Sequence, residues 1–521
     1  MPRILILGAG VMQGPALKIA SEMGLEAVVV DADPAAVCIP LAARFEKIDL
    51  KDREGVEALG RSLMEQGGLE GIMTVGTDFS ATVAWAAEKL GLPGIPFESA
   101  LDASDKERMR RRFKAAGVPS PEFVIMKDLP REGETLPFSW PAVVKPVDNM
   151  GARGCRRVDS FAELREAVSS ALEFSRSGRA IVEEYMEGPE FSVDALVYRG
   201  EITICGIADR HIFFPPYFIE MGHTMPSAED PAAIRSLLDA FVRGVKALGI
   251  TNGAAKGDIK LTPRGPMIGE IAARLSGGYM SGWTYPYSSG VLPVRGAIEI
   301  ALGKKPGRLE PEWNWTSAER AFISIPGKVR SIEGVEHART MPWVKDVFMR
   351  IRPGTPVSFP ENNVTKCGNI ISAAPGRLDA VEAAENAARS ILVRLEAPDA
   401  ATAAFLAVPP SGEKAAFPPD AFVLDAKLLA LLAALPEDGA WHPFPAFTKS
   451  GLKDYVGRSV EESLEAVRIL TGMELPVAEN RPGGNKGDNA FCLGRSFWQA
   501  LIRGGYQGAV YYIDSLRAAH D

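Results

Sequence analysis

The chain has 521 residues, 46% of them hydrophobic and 24% charged, with a formal net charge of -8. This length predicts several domains, and the acidic balance argues against the basic face that nucleic-acid binding needs. No apolar run approaches the roughly 20 residues of a membrane-spanning helix, and five scattered cysteines (Cys38, Cys155, Cys205, Cys367, Cys492) suggest neither a disulfide framework nor a metal cluster.

The N-terminus, Met1-Pro2-Arg3 ahead of an apolar run, is too short for a signal peptide and reads as the start of a strand. A reduced, cytoplasmic protein is expected. Residues 4–7 form that strand, Gly8-Ala9-Gly10 a tight turn and residues 11–23 a helix. Apolar strands at 27–31 and 71–75 and a helix at 80–90 continue the alternation, which predicts a parallel, doubly wound sheet. The first turn runs from Gly8 to Gly14 with spacing GxGxxxG, one residue longer than the dinucleotide fingerprint. Asp31 and Asp33 follow near the distance of a ribose-binding acid, so an NAD(P) site and a plain strand–turn–helix crossing both stay open.

Ser104-Asp105-Lys106-Glu107 has the spacing of a capping box, and Gly117, Pro119 and Pro121 stop the helix it opens. Lys145 ends an apolar strand ahead of Pro146 and the loop Asp148-Asn149-Met150-Gly151-Ala152-Arg153-Gly154. A lysine so placed can reach a phosphate while loop amides and Arg153 supply further donors; a surface hairpin is the plainer reading. Glu183-Glu184-Tyr185-Met186 leaves one strand and Glu190 opens another, where acids could hold an adenine amino group and a ribose diol. His223 lies in the polar stretch 220–227, which could shape a substrate pocket, although a lone histidine is more often structural.

The strongest local pattern joins 256–261 to 267–271 through Thr262-Pro263-Arg264-Gly265-Pro266. A three-residue loop of Pro263, Arg264 and Gly265 pairs Thr262 with Pro266, Lys260 with Ile268 and Asp258 with Glu270. Two carboxylates facing each other destabilise a ladder unless a cation neutralises them, and oxygen-only ligands suit Mg2+ or Mn2+. Arg274 follows, near Gly277 and Gly278.

Further strands are expected at 321–325, 347–351 and 368–373, with a helix at 379–395. Residues 397–420, rich in Ala and Pro, read as a linker. Helices at 425–435, 449–456 and 460–471 precede a Gly/Asn-rich loop and a terminal segment. This mainly helical region, 421–521, is expected to be an accessory packing or dimerisation domain, with a winged-helix-like hairpin as the other reading.

Taken in order, these segments resemble the ATP-grasp superfamily over about residues 1–395, nearest its amino-acid ligases and its biotin-carboxylase and purine-biosynthesis carboxylate–amine ligases. The resemblance implies an α/β and α+β multidomain protein with a Rossmann-like domain at 1–103, an ATP-grasp lid region at 104–187 and a C-lobe with the metal site at 188–396. ATP would lie between lid and C-lobe. Lys106 and Lys145 would contact phosphates under the loop holding Gly151 and Gly154. Glu183, Glu184, Tyr185 and Met186 would form the adenine hinge, and Glu190 would bind the ribose. Asp258 and Glu270 would hold Mg2+ or Mn2+, and Arg274 and Arg153 would act on the reacting groups. Glu220, His223 and Gly277 would line the substrate site.

The implied reaction activates a carboxylate as an acyl phosphate, which an amine attacks to give an amide, ADP and phosphate. A bicarbonate-activating carboxylase and a non-catalytic ATP-binding regulator are the alternatives. Small-molecule acid and amine substrates are expected, with no nucleic acid or membrane partner, and relatives of this kind are often homodimers. Three positions depart from the usual pattern: Ala272 stands where Asn is common, Asp258 where Glu is common, and Lys256 where His is common in this branch.

Overall fold

Four strands, β1 (Arg3–Leu7), β2 (Glu26–Asp31), β3 (Arg44–Lys47) and β4 (Gly71–Thr74), pair in parallel in the order β3-β2-β1-β4. In β1, Ile4, Leu5, Ile6 and Leu7 are fully buried, the continuous apolar run that a strand covered on both faces requires. β3 went unrecognised in the sequence because its Arg44, Glu46 and Lys47 are edge-strand charges, which break the hydrophobic pattern.

The molecule is a computed structural model describing residues 2–131, 133–413, 415–437, 441–473 and 493–520. Its first unit comprises Met1–Ile212, Gly222–Glu319 and Ala373–Val381, and its second Phe213–Met221, Arg320–Ser372 and Glu382–Asp521. Residues 320–372 thus group with the C-terminal hundred residues and not with the expected C-lobe.

In the first unit, β5 (Phe123–Met126), β6 (Ala142–Pro146), β7 (Arg156–Val158) and β8 (Ala180–Glu184) form an antiparallel sheet in the order β5-β8-β6-β7. The helix Phe161–Phe174 buries Leu164, Ala167, Val168 and Ala171 against it. The helix Lys106–Ala115 starts one residue later than expected: Asp105 is its cap, accepting from the Arg108 amide at 3.0 Å, while Ser104 ends the preceding helix.

A larger sheet runs β13-β12-β9-β10-β11, from β9 (Glu190–Tyr198), β10 (Glu201–Phe213), β11 (Ile219–Met225), β12 (Gly253–Thr262) and β13 (Gly265–Ala272). β9 lies inside it, so Ser192 and Asp194 are as buried as Phe191 and Val193. The helix Pro231–Ala247 seals one face with Leu237, Phe241 and Val245. Between β8 and β9, Gly188 has φ of 135°, and a Cβ there would lie 2.0 Å from the Leu261 carbonyl oxygen. Gly188→Ala is therefore expected to destabilise this unit by about 2 kcal/mol or more, read as a lower denaturant midpoint at unchanged slope.

In the second unit, strands Val344–Met349 and Gly368–Ala374 pair antiparallel, and Gly327–Glu333 pairs with Pro356–Val357 and Leu392–Leu395. The terminal segment, for which a hairpin is the other reading, is helical over Arg495–His520, interrupted by a kink where Gly505 takes φ of 60°. The expected linker contains the helix Ala400–Leu406, with Phe405 buried. Arg503 joins that stretch to the terminal helix through Asp420 at 3.1 Å. Arg394 binds Asp514 at 2.6 and 2.7 Å, which ties the strand Leu392–Leu395 to the terminal helix. A helix stands at Pro445–Thr448 and not at 449–456, whereas Val460–Thr471 is helical as expected. The Gly/Asn-rich loop and Cys492 lie outside the described residues.

Candidate active site

The hairpin β12–β13 turns through Pro263 and Arg264 alone: Thr262 faces Gly265, Lys260 faces Met267 and Ile259 faces Ile268. The expected three-residue loop and its register are therefore off by one. Gly269 is then an extra residue, a β-bulge that restores Asp258 opposite Glu270. Glu270 stays part-exposed, and the Lys106 ammonium lies 3.8 Å from it. Burial pushes the Glu270 carboxyl upward, but Lys106, with Lys256 and Lys145, outweighs burial and the facing Asp258, holding it below the usual range.

Asp258 is more heavily engaged. Lys256 contacts its Oδ2, Arg210 lies 3.2 Å from the same oxygen, and the Ser192 hydroxyl donates to Oδ1 at 3.2 Å. Lys256 faces Ala272 across the ladder, so a cation stands opposite the position where Asn is usual. Two carboxylates fit a hard divalent cation by their oxygen-only chemistry. Such a pair would suit Mg2+, an ion that keeps positions for phosphate and water.

The other lysine belongs to a buried charge cluster that the sequence did not reveal. Lys145 lies on β6, its Nζ 2.7 Å from Glu183 Oε2. Arg110, fully buried, places its Nε 2.8 Å from Glu183 Oε1 and donates to the Gly269 carbonyl. Burial raises the Glu183 carboxyl, yet Arg110 and Lys145 pull it down to about 2. Burial opposes charge on Lys145 too, but Glu183 holds its ammonium above the usual range. The Glu183 side chain is thus committed to two cations, and Arg110 spans from it to the bulge that sets the Asp258–Glu270 register.

The loop after β6 has Gly151, Ala152 and Gly154 at φ of 69°, 60° and 67°. Three left-handed residues in four let the chain reverse tightly; two are glycine and Ala152 carries the strain. Lys106 donates to the Asn149 carbonyl at 2.9 Å, and Arg153 Nε to the Met150 carbonyl at 3.0 Å. Of the expected hinge, Glu184 accepts from Arg264 at 2.7 Å, and the Tyr185 amide donates to Pro141 at 3.1 Å. The Met186 carbonyl accepts from Lys260 at 3.1 Å. Glu190 contacts Arg210 and lies 3.7 Å from Lys260.

Arg274 is held by carbonyls, donating to Thr77 at 2.9 Å and Leu275 at 3.0 Å. Its segment is anchored by buried Asp194, which accepts from the Ser276 amide at 2.9 Å and from its hydroxyl. Val75 bridges Leu275, and a Cβ on Gly76 would meet Gly277 Cα at 3.1 Å, so the end of β4 packs directly against the Arg274–Gly277 segment. His223 is buried, with Nδ1 3.1 Å from Glu319 Oε2. Glu220 belongs to the second unit, where its amide donates to Asn363 at 2.8 Å and its carbonyl accepts from Lys366 at 2.6 Å.

The first glycine turn is filled by the protein itself. The Gln13 side chain accepts from the Gly10 amide at 2.9 Å and donates to Val75, and Asp31 accepts from the Ala9 amide at 2.8 Å. The amide and acid on which an NAD(P) site would depend are bonded to each other, which counts against that alternative.

Fold and site together define an ATP-grasp protein: the family model described as ATP-grasp domain matches residues 138–282. Residues 138–282 are thus an ATP-grasp domain, and the amino-acid ligases are among the relatives this chain is similar to. Within that class, residues 321–396 match the model described as L-amino acid ligase C-terminal domain 2. The L-arginine-specific L-amino acid ligase of Bacillus subtilis is 25% identical over 241 residues, covering 45% of this chain and 58% of that protein. Carnosine synthase 1 of Gallus gallus is 26% identical over 332 residues, 58% of this chain and 35% of that protein. The chain thus spans 58% and 35% of the length of these two relatives. The crystal structure of L-amino acid ligase from Bacillus licheniformis shares the fold, with a TM-score of 0.67 at 22% identity over 76% of this chain and 99% of that one.

Proposed function

We propose that this chain joins the carboxylate of one amino acid or small acid to the amine of another, through an acyl phosphate. The facing carboxylates Asp258 and Glu270, with Lys106 at 3.8 Å, carry this reading. The acid's oxygen attacks the γ-phosphorus of ATP, the bridging P–O bond breaks, and ADP leaves. The neutral amine nitrogen then attacks the acyl carbon, forming C–N as the C–O bond to phosphate breaks, and the proton it sheds leaves with the phosphate.

Lys145, Lys106 and the amides of the loop with Gly151, Arg153 and Gly154 stabilise the phosphoryl charge. Glu183 keeps Lys145 charged and in place, and backbone groups of 184–186 hold the adenine. Glu190 takes the ribose, Arg274 faces the acyl phosphate, and His223 and Gly277 shape the acid's pocket. A divalent cation held by Glu270 and Asp258 would supply further neutralising charge to the phosphates. Closure over the site keeps water from the acyl phosphate. We place the protein in the cytoplasm, where Cys38, Cys155, Cys205 and Cys367, which form no disulfide, stay reduced.

The test is phosphate release from MgATP against a matrix of amino acids and small carboxylates. One acid–amine pair should stimulate release and yield an amide. ATP binding with no pair stimulating release would overturn the reading, and stimulation by bicarbonate alone would replace it with a carboxylase.

A further inference from the structure

Asp78 has no role in the reaction as set out above, yet its segment holds Arg274. It ends the Gly76-Thr77-Asp78 segment after β4, and Arg274 Nε donates to the carbonyl of its neighbour Thr77 at 2.9 Å. Gly76, two residues before it, packs on Gly277. The carboxylate is 12% exposed, and its Oδ1 is buried without a hydrogen-bond partner among the described residues. Its Oδ2 has two guanidinium groups nearby, Arg153 at 3.8 Å and Arg176 at 3.6 Å, both beyond direct hydrogen-bond reach. A buried carboxylate oxygen without a donor is costly unless a ligand supplies one. Thr77, its other near neighbour, is turned inward, its hydroxyl paired with Thr74 at 2.9 Å.

The cations around Asp78 are ones that phosphates would compete for. Arg153 belongs to the glycine loop, and burial raises the Asp78 carboxyl above its ordinary range against the pull of Arg274, Arg176 and Lys106. Once ATP draws Arg153 toward its phosphates, the buried Asp78 carboxyl needs another cation beside it to stay ionised next to Arg274. A small cation with several N–H donors fits that place, whereas a second carboxylate would meet an uncompensated like charge.

We propose that Asp78 binds the ammonium group of the amine substrate and so selects and positions the second substrate of the ligation. This rests on the ligase reading above. The substrate class follows: an amine that arrives as a cation, such as the α-ammonium of an amino acid, and gives one proton to solvent before it attacks. Neutral nucleophiles are not held at Asp78.

Hydroxylamine, largely uncharged at neutral pH, captures acyl phosphates as hydroxamates without an ammonium to bind. Wild type and Asp78→Asn are compared in full-length protein, with the same acid and MgATP, for hydroxamate and for amide. Asp78→Asn should lower the ratio of amide to hydroxamate about 10- to 100-fold, through a raised KM for the amine, as expected for losing one charge-assisted contact. Equal falls in both products would overturn the proposal, since Asp78 would then act on the fold or on Arg153 and Arg176. An unchanged ratio would overturn it as well. No hydroxamate from the wild-type protein with any acid would sink the ligase reading, and this inference with it.

Discussion

Glu270→Ala should reduce amide-forming turnover about a thousandfold, the scale seen when a group that stabilises developing charge is removed. Glu270 is the part-exposed member of the facing pair, the one with Lys106 at 3.8 Å. Its carboxyl is held below the usual range by Lys106 and its companions against burial, so it is ionised at neutral pH. The variant should lose only a little thermal stability, because relief of the like charge opposite Asp258 partly offsets the loss of the Lys106 contact. Steady-state turnover and a thermal melt on one preparation check both halves. A fall in activity that tracked a fall in melting temperature would assign Glu270 a structural role.

The largest stability effect is expected at Glu183→Gln. This carboxylate is 1% exposed and answers two cations, Arg110 at 2.8 Å and Lys145 at 2.7 Å. Removing one partner of a buried ion cluster leaves uncompensated charge and costs about 3–5 kcal/mol. The loss should appear in urea unfolding of the first unit at pH 7, together with a raised KM for ATP as Lys145 loses its anchor. The pH dependence has a definite sign. The folded carboxyl titrates at about 2, below its ordinary 4.5. Its stabilisation is complete above about pH 4.5 and is lost as pH falls toward 2, so the gap between wild type and variant should narrow over that window. A gap that stayed constant through it would show that the cluster does not set the charge on Glu183.

The features that were legible in the sequence rest on local rules. Residues 258 and 270 face each other because strands alternate and hairpins pair, although two departures cancel: the turn holds two residues instead of three, and the bulge at Gly269 supplies the missing one. The parallel first sheet follows from apolar runs separated by helices. The Glu183 cluster was not legible, because helix Lys106–Ala115 carries Arg108, Arg110, Arg111 and Arg112. Arg111 pairs within its helix with Glu107, and Arg108 and Arg112 reach Asp102; only the helix's orientation against β8 and β13 turns Arg110 inward. The terminal helix was hidden by Gly504, Gly505 and Gly508, residues that read as turn signals and here permit a bend. Asp78 carried no sequence signal, since its partners come from segments at 153 and 176.

The central claim is that a substrate carboxylate becomes an acyl phosphate. Its most direct test labels that carboxylate with 18O and follows the label into products during turnover with MgATP and the amine. Transfer of one 18O atom to the released phosphate is the predicted result, because the acid's oxygen attacks phosphorus and leaves with it. Unlabelled phosphate, or label appearing in AMP, would contradict the account and point to activation by another route.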